Sequence, residues 1–270
     1  MNVLEKRLRA TRDDGHKSLI GYVMGGIRED WPDLVRAMVD GGADAVEIGL
    51  PFSDPMLDGP VIQRASLTAL QRGTQVERLL DHLPDVSVPL IAMSYSNHLF
   101  SRGRERFLQL LASAGIDGCI VPDLPLEESS DYLRDARSMG VAPVLMAAPS
   151  TPDETAHRIA QAAEGFVYCM GSMTPTGRTD VMRDDGWEIA DRLKSLEGIP
   201  VMIGFGIDTP PRAALAARRS DGVVVGSALM DPVLAGATAS SIMKIIRDFR
   251  RHIDDVEATT APSSLAGPPP

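Results

Sequence analysis

A carboxyl group interrupts an otherwise apolar segment early in the chain. Glu47 lies between Val46 and Ile48, and the segment ends at Gly49. Burying a carboxylate there is costly unless the group gains a partner or its pKa rises. A structural hydrogen bond would also answer that cost, but the position near the end of a predicted strand favours catalysis. We therefore interpret Glu47 as a candidate catalytic residue.

The loop that follows this segment is rich in proline and carries two more carboxyl groups. It reads PFSDPMLDGP from Pro51 to Pro60 and contains Asp54 and Asp58. Its prolines restrict the backbone, and loops of this kind can fold over a site. Asp-Pro and Asp-Gly pairs are also ordinary turn sequences. The composition of the loop alone leaves both interpretations open.

Two glycine-containing turns late in the chain have the character of a phosphate site. Gly204-Phe205-Gly206 follows the seventh predicted strand, and Gly226-Ser227 follows the eighth and opens a helix. Glycines let backbone N–H groups approach phosphate oxygens, and a helix N-terminus adds its dipole. The alternative is that these glycines serve only tight turns. The pair predicts a phosphorylated substrate without specifying the reaction.

These residues need a scaffold, and short apolar segments alternate with amphipathic ones along the chain. Strands are predicted at Ser18–Met24, Asp44–Gly49, Leu90–Ser94, Gly118–Val121, Ala142–Ala147, Gly165–Tyr168, Pro200–Gly204 and Gly222–Val225. Apolar residues spaced by three and four predict helices. The helical segments include Asp33–Asp40, Val61–Gln71, Gly103–Ala114, Leu126–Ser138, Asp153–Ala163 and Pro211–Arg218.

The order of these elements predicts an α/β fold, a single-domain (β/α)8 TIM barrel. Strands that alternate with helices form a parallel sheet, and right-handed crossovers favour its closure. The length of 270 residues suits one barrel, which typically has ~250. An open doubly wound sheet is the rival, but no GxGxxG motif follows the first strand. Chemistry in a barrel belongs at the C-terminal ends of the strands.

Two end segments fall outside this alternation. Val3–Arg12 is predicted to form a short extra helix that covers the bottom of the barrel. Residues 254–270 are rich in Pro, Ser, Ala and Thr and hold little that can be buried, so we expect a disordered tail. The barrel domain is therefore predicted to span residues 1–253.

The composition excludes several classes of protein. A net charge of −10 argues against general nucleic-acid binding, which needs a basic face. Cys119 and Cys169 are too few for a disulfide framework, and neither they nor the histidines have metal-ligand spacing. The N-terminal segment is charged, and no apolar run approaches the ~20 residues of a membrane span. We expect a cytoplasmic protein without a metal.

The stretch Val46–Gly73 carries a specific resemblance. It reads VEIGLPFSDPMLDGPVIQRASLTALQRG and is similar to the signature of the tryptophan synthase α subunit family. That signature has an acidic residue two before Gly, then PFSDP, any two residues, DGP and IQ. The similarity keeps the family's order over roughly residues 15–250. It continues at Tyr95 and Asn97, Val121–Ser129, Ala148–Glu154, Tyr168, Thr176-Gly177, Gly204–Ile207 and Val225–Leu229.

The resemblance implies a lyase of tryptophan biosynthesis, which cleaves indole-3-glycerol phosphate by a retro-aldol reaction to indole and glyceraldehyde 3-phosphate. The family's general acid/base falls on Glu47, and its second catalytic carboxylate falls on Asp58. Substrate contacts fall on Tyr95, Tyr168, Thr176, Gly177 and the two glycine turns. The reaction needs no metal, Schiff-base lysine or nucleophile.

The resemblance also implies a partner. In the family, a β subunit that carries pyridoxal phosphate receives the indole, in an α2β2 heterotetramer, and no cofactor is expected in this chain. The loop residues Pro51 and Asp54 would form part of the contact.

The first and the sixth loop both depart from the family's pattern, and the sixth keeps alternatives open. Where the family usually has Gly-Val-Thr-Gly, this chain has Thr174-Pro175-Thr176-Gly177, and proline removes a backbone donor. One alternative is therefore a stand-alone lyase that releases free indole. Another is a catalytically weak α-like subunit that only activates a β subunit, although both carboxyl groups are retained. A different phosphate-binding barrel, such as an isomerase or aldolase, is disfavoured by the PFSDP–DGP loop.

Overall fold

The computed structural model describes residues 1–171, 187–196 and 198–260, and its central feature is a closed barrel of parallel strands. The strands follow one another around the barrel in chain order, and β1 pairs with both β2 and β8. Their bounds are β1 Ser18–Met24, β2 Ala45–Gly49, β3 Leu90–Met93, β4 Gly118–Ile120, β5 Ala142–Ala147, β6 Val167–Met170, β7 Val201–Gly204 and β8 Gly222–Val225. The predicted TIM barrel is confirmed.

Helices cover the outside of the barrel, so most strand residues are buried on both faces. The helices are α1 Val3–Asp13, α2 Trp31–Asp40, α3 Pro60–Gln71, α4 Val76–Leu80, α5 Ser96–Ser101, α6 Arg104–Ser113, α7 Ser130–Ser138, α8 Asp153–Ala162, α9 Glu188–Lys194, α10 Pro210–Arg219, α11 Ser227–Leu234 and α12 Ala239–Thr260. None of the helices in the described ranges combines the length and the apolar character needed to cross a lipid bilayer.

Helix α1 closes the bottom of the barrel, as its position before the first strand predicts. Leu4 and Leu8 are fully buried. A Cβ atom added at Gly118, the first residue of β4, would lie 2.7 Å from a methyl carbon of Leu4. A Cβ at Gly165 would lie 2.8 Å from the same methyl group. The small residues therefore make room for the Leu4 side chain at the N-terminal ends of the strands.

Three aspartates repeat one contact at this end of the barrel. Each directly precedes a strand, and its carboxylate accepts a hydrogen bond from a backbone N–H at the start of the preceding strand. The pairs are Leu19–Asp44 at 2.9 Å, Leu90–Asp117 at 3.0 Å and Val201–Asp221 at 2.9 Å. These contacts fix the starts of the strands. They therefore also help to hold the opposite ends of the strands, where chemistry is expected, in fixed positions.

Several boundaries differ from the sequence prediction by one to a few residues, and two of the differences have a clear physical reason. Strand β6 begins at Val167, because Gly165 has a φ of +79° and belongs to a turn. Helix α12 continues through Thr260, beyond the predicted barrel end at residue 253. Its buried residues recur at helical spacing and include Ile253 and Val256, so the apolar face extends past residue 253 into the segment that composition assigned to a tail. Residues 261–270 lie outside the described ranges.

Candidate active site

The carboxyl group of Glu47 is buried at the C-terminal half of β2. The residue is 2% exposed, and its Oε2 atom has no hydrogen-bond partner among the residues that the structure describes. Burial raises the pKa of Glu47 to about 8, and the negative charge of Asp58 acts in the same direction. The side chain is therefore mostly protonated at neutral pH, and a proton on Oε2 can be donated without breaking a hydrogen bond to any described residue.

Asp58 lies in the loop between β2 and α3, and that loop is held by its own hydrogen bonds. The Ser66 hydroxyl donates to the carbonyl of Phe52 at 2.8 Å and accepts from the N–H of Phe52 at 2.9 Å. Burial raises the pKa of Asp58 to about 6, while a hydrogen bond from the Tyr95 hydroxyl opposes the rise. Asp58 is thus mostly ionised at neutral pH, beside a Glu47 that is mostly neutral.

Tyr95 lies two residues after the end of β3. It links the loop between β2 and α3 to the barrel. Its hydroxyl accepts a hydrogen bond from the N–H of Leu57 at 3.3 Å, in addition to its bond with Asp58. Its ring stacks on Phe52 with centroids 5.0 Å apart, and the His98 ring packs edge-on against Phe52 at 5.4 Å. Burial lowers the pKa of His98 to about 4, so this histidine supports the stack as a neutral ring.

Tyr168 in β6 and Tyr22 in β1 contribute buried phenol rings to the same interior. Burial raises the pKa of each, and the charges of Glu47 and Asp58 raise both further. The Tyr168 hydroxyl lies where a side chain at Gly204 would be, since a Cβ there would be 2.0 Å away. Tyr95 is hydrogen-bonded to Asp58, and the charges of both carboxyl groups act on Tyr168, whereas the contact of these tyrosines with a substrate stays a prediction.

Tyr22 was missed by sequence reasoning. It is paired in register with Glu47 in the neighbouring strand. Its hydroxyl occupies the space beside Gly49, where a Cβ would lie 2.0 Å from the oxygen. The signal was the strand register, because residues paired across parallel strands face the same side of a barrel. An aromatic residue in an apolar strand otherwise looks like ordinary core.

The turn after β7 has an unusual backbone. Phe205 has a φ of 65° and Gly206 a φ of 71°. Among the non-glycine residues of the described ranges, Phe205 alone has a positive φ. Such a conformation costs on the order of 1 kcal/mol for a residue with a side chain and persists where the surroundings impose it. The Phe205 ring packs edge-on against Tyr168 at 5.8 Å. Strain of this kind at a strand end is typical of ligand sites.

The second glycine turn lies beside β1 at the same end of the barrel. Gly226 precedes α11, which begins at Ser227 as predicted. The nearest atoms to a Cβ at Gly226 would be 3.9 Å away, in Ile62 and Tyr22, which is an ordinary van der Waals distance, so no side chain crowds this turn. The first N–H groups of a helix have no partner within the helix and can bind an anion.

The remaining expected residues have different outcomes. Thr176 and Gly177 lie outside the described residues. Asp54 is exposed on the loop, whereas Pro51 is buried, so only Asp54 of the two presents its side chain to a partner. Within the described ranges, no three His, Cys, Asp or Glu side chains come together in a way that would hold a metal ion.

This geometry can be compared with known proteins. A family model described as tryptophan synthase alpha chain matches residues 8–258. The chain belongs to the tryptophan synthase alpha chain family. The tryptophan synthase alpha chain of Halorhodospira halophila is 38% identical, over 94% of this chain and 97% of the relative. That of Carboxydothermus hydrogenoformans is 39% identical, over 82% of this chain and 85% of the relative.

Solved structures of the family agree with the fold. Tryptophan synthase subunit alpha from Legionella pneumophila superposes with a TM-score of 0.83 at 31% identity, covering 94% of this chain and 99% of that one. A tryptophan synthase from M. tuberculosis gives a TM-score of 0.84 at 28% identity, covering 94% and 99%. Membership of the tryptophan synthase alpha chain family therefore extends over nearly the whole barrel.

The unpartnered carboxyl group should cost the fold stability at neutral pH. The pKa of Glu47 rises from 4.5 to about 8 on burial, so the folded state binds more protons than the unfolded state between these values. Stability linked to this group is present below pH 4.5 and is lost as the pH rises through about 8. We expect Glu47→Gln to be more stable than the native protein by about 3 kcal/mol at pH 7.

Urea denaturation at pH 5, 7 and 8.5 measures this difference. The gain should grow with pH and then level off above about 8. Glu29→Gln is the control, since Glu29 is almost fully exposed and its replacement should give no such trend. A Glu47→Gln variant whose stability difference does not change with pH would contradict the assigned protonation.

Proposed function

We propose that this chain cleaves indole-3-glycerol phosphate to indole and glyceraldehyde 3-phosphate, with Glu47 and Asp58 as the catalytic pair. Its family places it among the lyases of tryptophan biosynthesis. The observation that carries the proposal is the pair of carboxyl groups, one with a pKa of about 8 and the other of about 6, at one end of the barrel. Environments that push two carboxyl pKa values apart assign acid and base roles.

The retro-aldol reaction requires two proton movements. Protonation of indole C3 weakens its bond to the glycerol carbon, and that bond breaks as the hydroxyl on the same glycerol carbon loses its proton and becomes the aldehyde. Glu47 in its neutral form donates the first proton and, as a carboxylate, removes the second. It ends the cycle protonated again, so no external acid or base is consumed. A raised pKa suits a group that works in both directions.

Asp58 stabilises the charge that develops in between. Once C3 is protonated, positive charge develops at the indole nitrogen, and a carboxylate that accepts its N–H hydrogen bond lowers the energy of that state. The hydrogen bond from Tyr95 keeps the pKa of Asp58 from rising further. Tyr95 also fixes the direction of the carboxylate through its contact with the loop at Leu57.

The phosphate of the substrate binds at the two glycine turns. The backbone N–H groups of Gly206, Gly226 and Ser227 would hold its oxygens, and Gly177 would add to them from the sixth loop. The positive φ of Gly206 and the helix that begins at Ser227 support this placement. Phe205 and Tyr168 then line the space between the phosphate and the carboxyl pair.

Glu47→Gln should abolish most indole release while the substrate still binds. Proton-transfer catalysis contributes about 10²–10⁴-fold, and kcat should fall by that factor. The assay measures indole formed from indole-3-glycerol phosphate, with the Kd for indole as a control for an intact site. In the native protein, the rate should fall as the pH rises through about 8 and as it drops through about 6. A variant with more than half of the native kcat would remove Glu47 from the mechanism.

Asp58→Asn keeps the shape of the side chain and removes its charge. We expect a loss in kcat of on the order of 10²-fold, with KM changed much less, because the charge matters most once the indole nitrogen becomes positive. Steady-state kinetics of the same assay separate the two parameters. A loss confined to KM would make Asp58 a binding residue and would refute this role.

We further propose that the top face docks on a β subunit that carries pyridoxal phosphate. The loop that carries Asp58 presents Asp54 and Met56 at the surface, and Met56 is 77% exposed. Phe100, on the neighbouring α5, is 57% exposed. Exposed apolar side chains beside a carboxylate are suited to a protein contact. Docking on this loop would change the position of Asp58 and so couple partner binding to catalysis.

A cognate β subunit should raise the rate of indole release at least about fivefold. Asp54→Ala should weaken this activation and leave the rate of the isolated chain nearly unchanged, because the Asp54 side chain is exposed on the surface of the loop. Asp13→Ala, at the exposed end of α1 on the opposite face, is the matched control. A high rate that saturating β subunit leaves unchanged would instead favour a stand-alone indole-releasing lyase.

A further inference from the structure

Arg212 lies against the turn that follows β7. It belongs to the first turn of α10, which begins at Pro210. A Cβ atom built at Gly206 would lie 3.6 Å from its Nη2 atom and 3.9 Å from its Nε atom. The guanidinium group therefore lies beside Gly206, on the side where a side chain would project, and the N–H group of Gly206 is assigned to the substrate's phosphate.

The charge of Arg212 has no counter-charge in the described part of the chain. Its Nε atom is buried and lacks a hydrogen-bond partner there. Other arginines of the described ranges form close ion pairs with carboxylates, as Arg219 at the end of the same helix does with Asp191. A partly buried guanidinium left without an acceptor costs free energy unless a ligand supplies one.

Trp187 holds the guanidinium in this place. The Arg212 carbon Cζ lies 5.4 Å from the centre of the Trp187 ring, which is a cation–π distance. Trp187 is 4% exposed and directly precedes α9. The ring fixes the group without neutralising its charge, because an aromatic face is a weak partner for a cation compared with a carboxylate.

From these contacts we infer that Arg212 is a phosphate-recognition residue, whose fixed positive charge holds the phosphate monoester of the substrate at the Gly204–Gly206 turn. The inference rests on the proposed function for the identity of the substrate. The protein has a net charge of −10 and two carboxyl groups at the other end of the same site. A dianion entering this field needs a cation as well as backbone dipoles.

The experiment measures binding of inorganic phosphate and glycerol 3-phosphate to the full chain, alongside binding of indole. Arg212→Gln removes the charge, Arg212→Lys keeps it, and Arg218→Gln removes an exposed charge from the same helix. We expect Arg212→Gln to weaken both phosphate ligands about tenfold and to leave the Kd for indole within about twofold of native. Arg212→Lys should recover most of the phosphate affinity, and Arg218→Gln should resemble the native protein.

Steady-state kinetics give an independent readout. For Arg212→Gln, the KM for indole-3-glycerol phosphate should rise about tenfold while kcat stays within about twofold, since only binding of the unreacting phosphate is lost. A parallel loss of indole and phosphate affinity would show that Arg212 only supports the fold, and would overturn the inference. Unchanged phosphate affinity in Arg212→Gln, or an equal loss in Arg218→Gln, would also overturn it.

The binding measurement separates this inference from the proposed function. A chain that binds phosphate through Arg212 but releases no indole would refute the proposed lyase reaction and leave the phosphate site standing. A chain that releases indole with normal kinetics after Arg212→Gln would refute the phosphate role alone.

Discussion

The buried carboxyl group of Glu47 is the constraint on which the rest of the site depends. Its Oε2 atom is inside the barrel without a hydrogen-bond partner in the described chain, and such a group is tolerated only while it carries a proton. A hydrogen bond from a neighbouring donor would stabilise the fold, but it would also lower the pKa of Glu47 and spoil it as an acid at neutral pH. The barrel therefore has to supply the stability elsewhere. Two features at the opposite end of the barrel supply it. They are the aspartate contacts at the strand starts and the buried Leu4 and Leu8 of α1.

Room for the chemistry comes from two matched tyrosine–glycine contacts. Tyr22 in β1 is paired in register with Glu47 in β2. The Tyr22 hydroxyl lies over Gly49, which is two residues after Glu47 in β2. Tyr168 is paired with Met202, and its hydroxyl lies over Gly204 in the same relation. In both cases the phenol leans across the end of the next strand, where a side chain would block it. The interior thus stays filled with apolar rings up to its mouth, which sustains the low dielectric that raises the pKa of Glu47.

The parts of this site that local sequence carries were predictable, and the parts that depend on pairing across the barrel were not. Glu47 is conspicuous because a carboxyl group in an apolar strand is costly, and Ser227 was correctly placed at a helix start. Tyr22 looks like core until the register with β2 is known. Arg212 looks like a surface residue of a helix until the positive φ of Gly206 brings the turn against it. The missed end of α12 has a similar cause, since Val256 is buried by packing that composition does not reveal.

The two ends of the site are linked through charge. The carboxyl pair and the substrate's phosphate are all acidic, and they share one barrel mouth. A bound phosphate dianion opposes ionisation of Glu47, so its binding raises the pKa of that group and keeps the acid form in place for protonation of C3. By reciprocity, ionisation of Glu47 weakens phosphate binding to the same extent. A cation at Arg212 limits this coupling, because it offsets part of the phosphate's field before it reaches the carboxyl groups. The position of Arg212 beside Gly206, held by Trp187, therefore influences how strongly substrate binding and proton transfer are coupled.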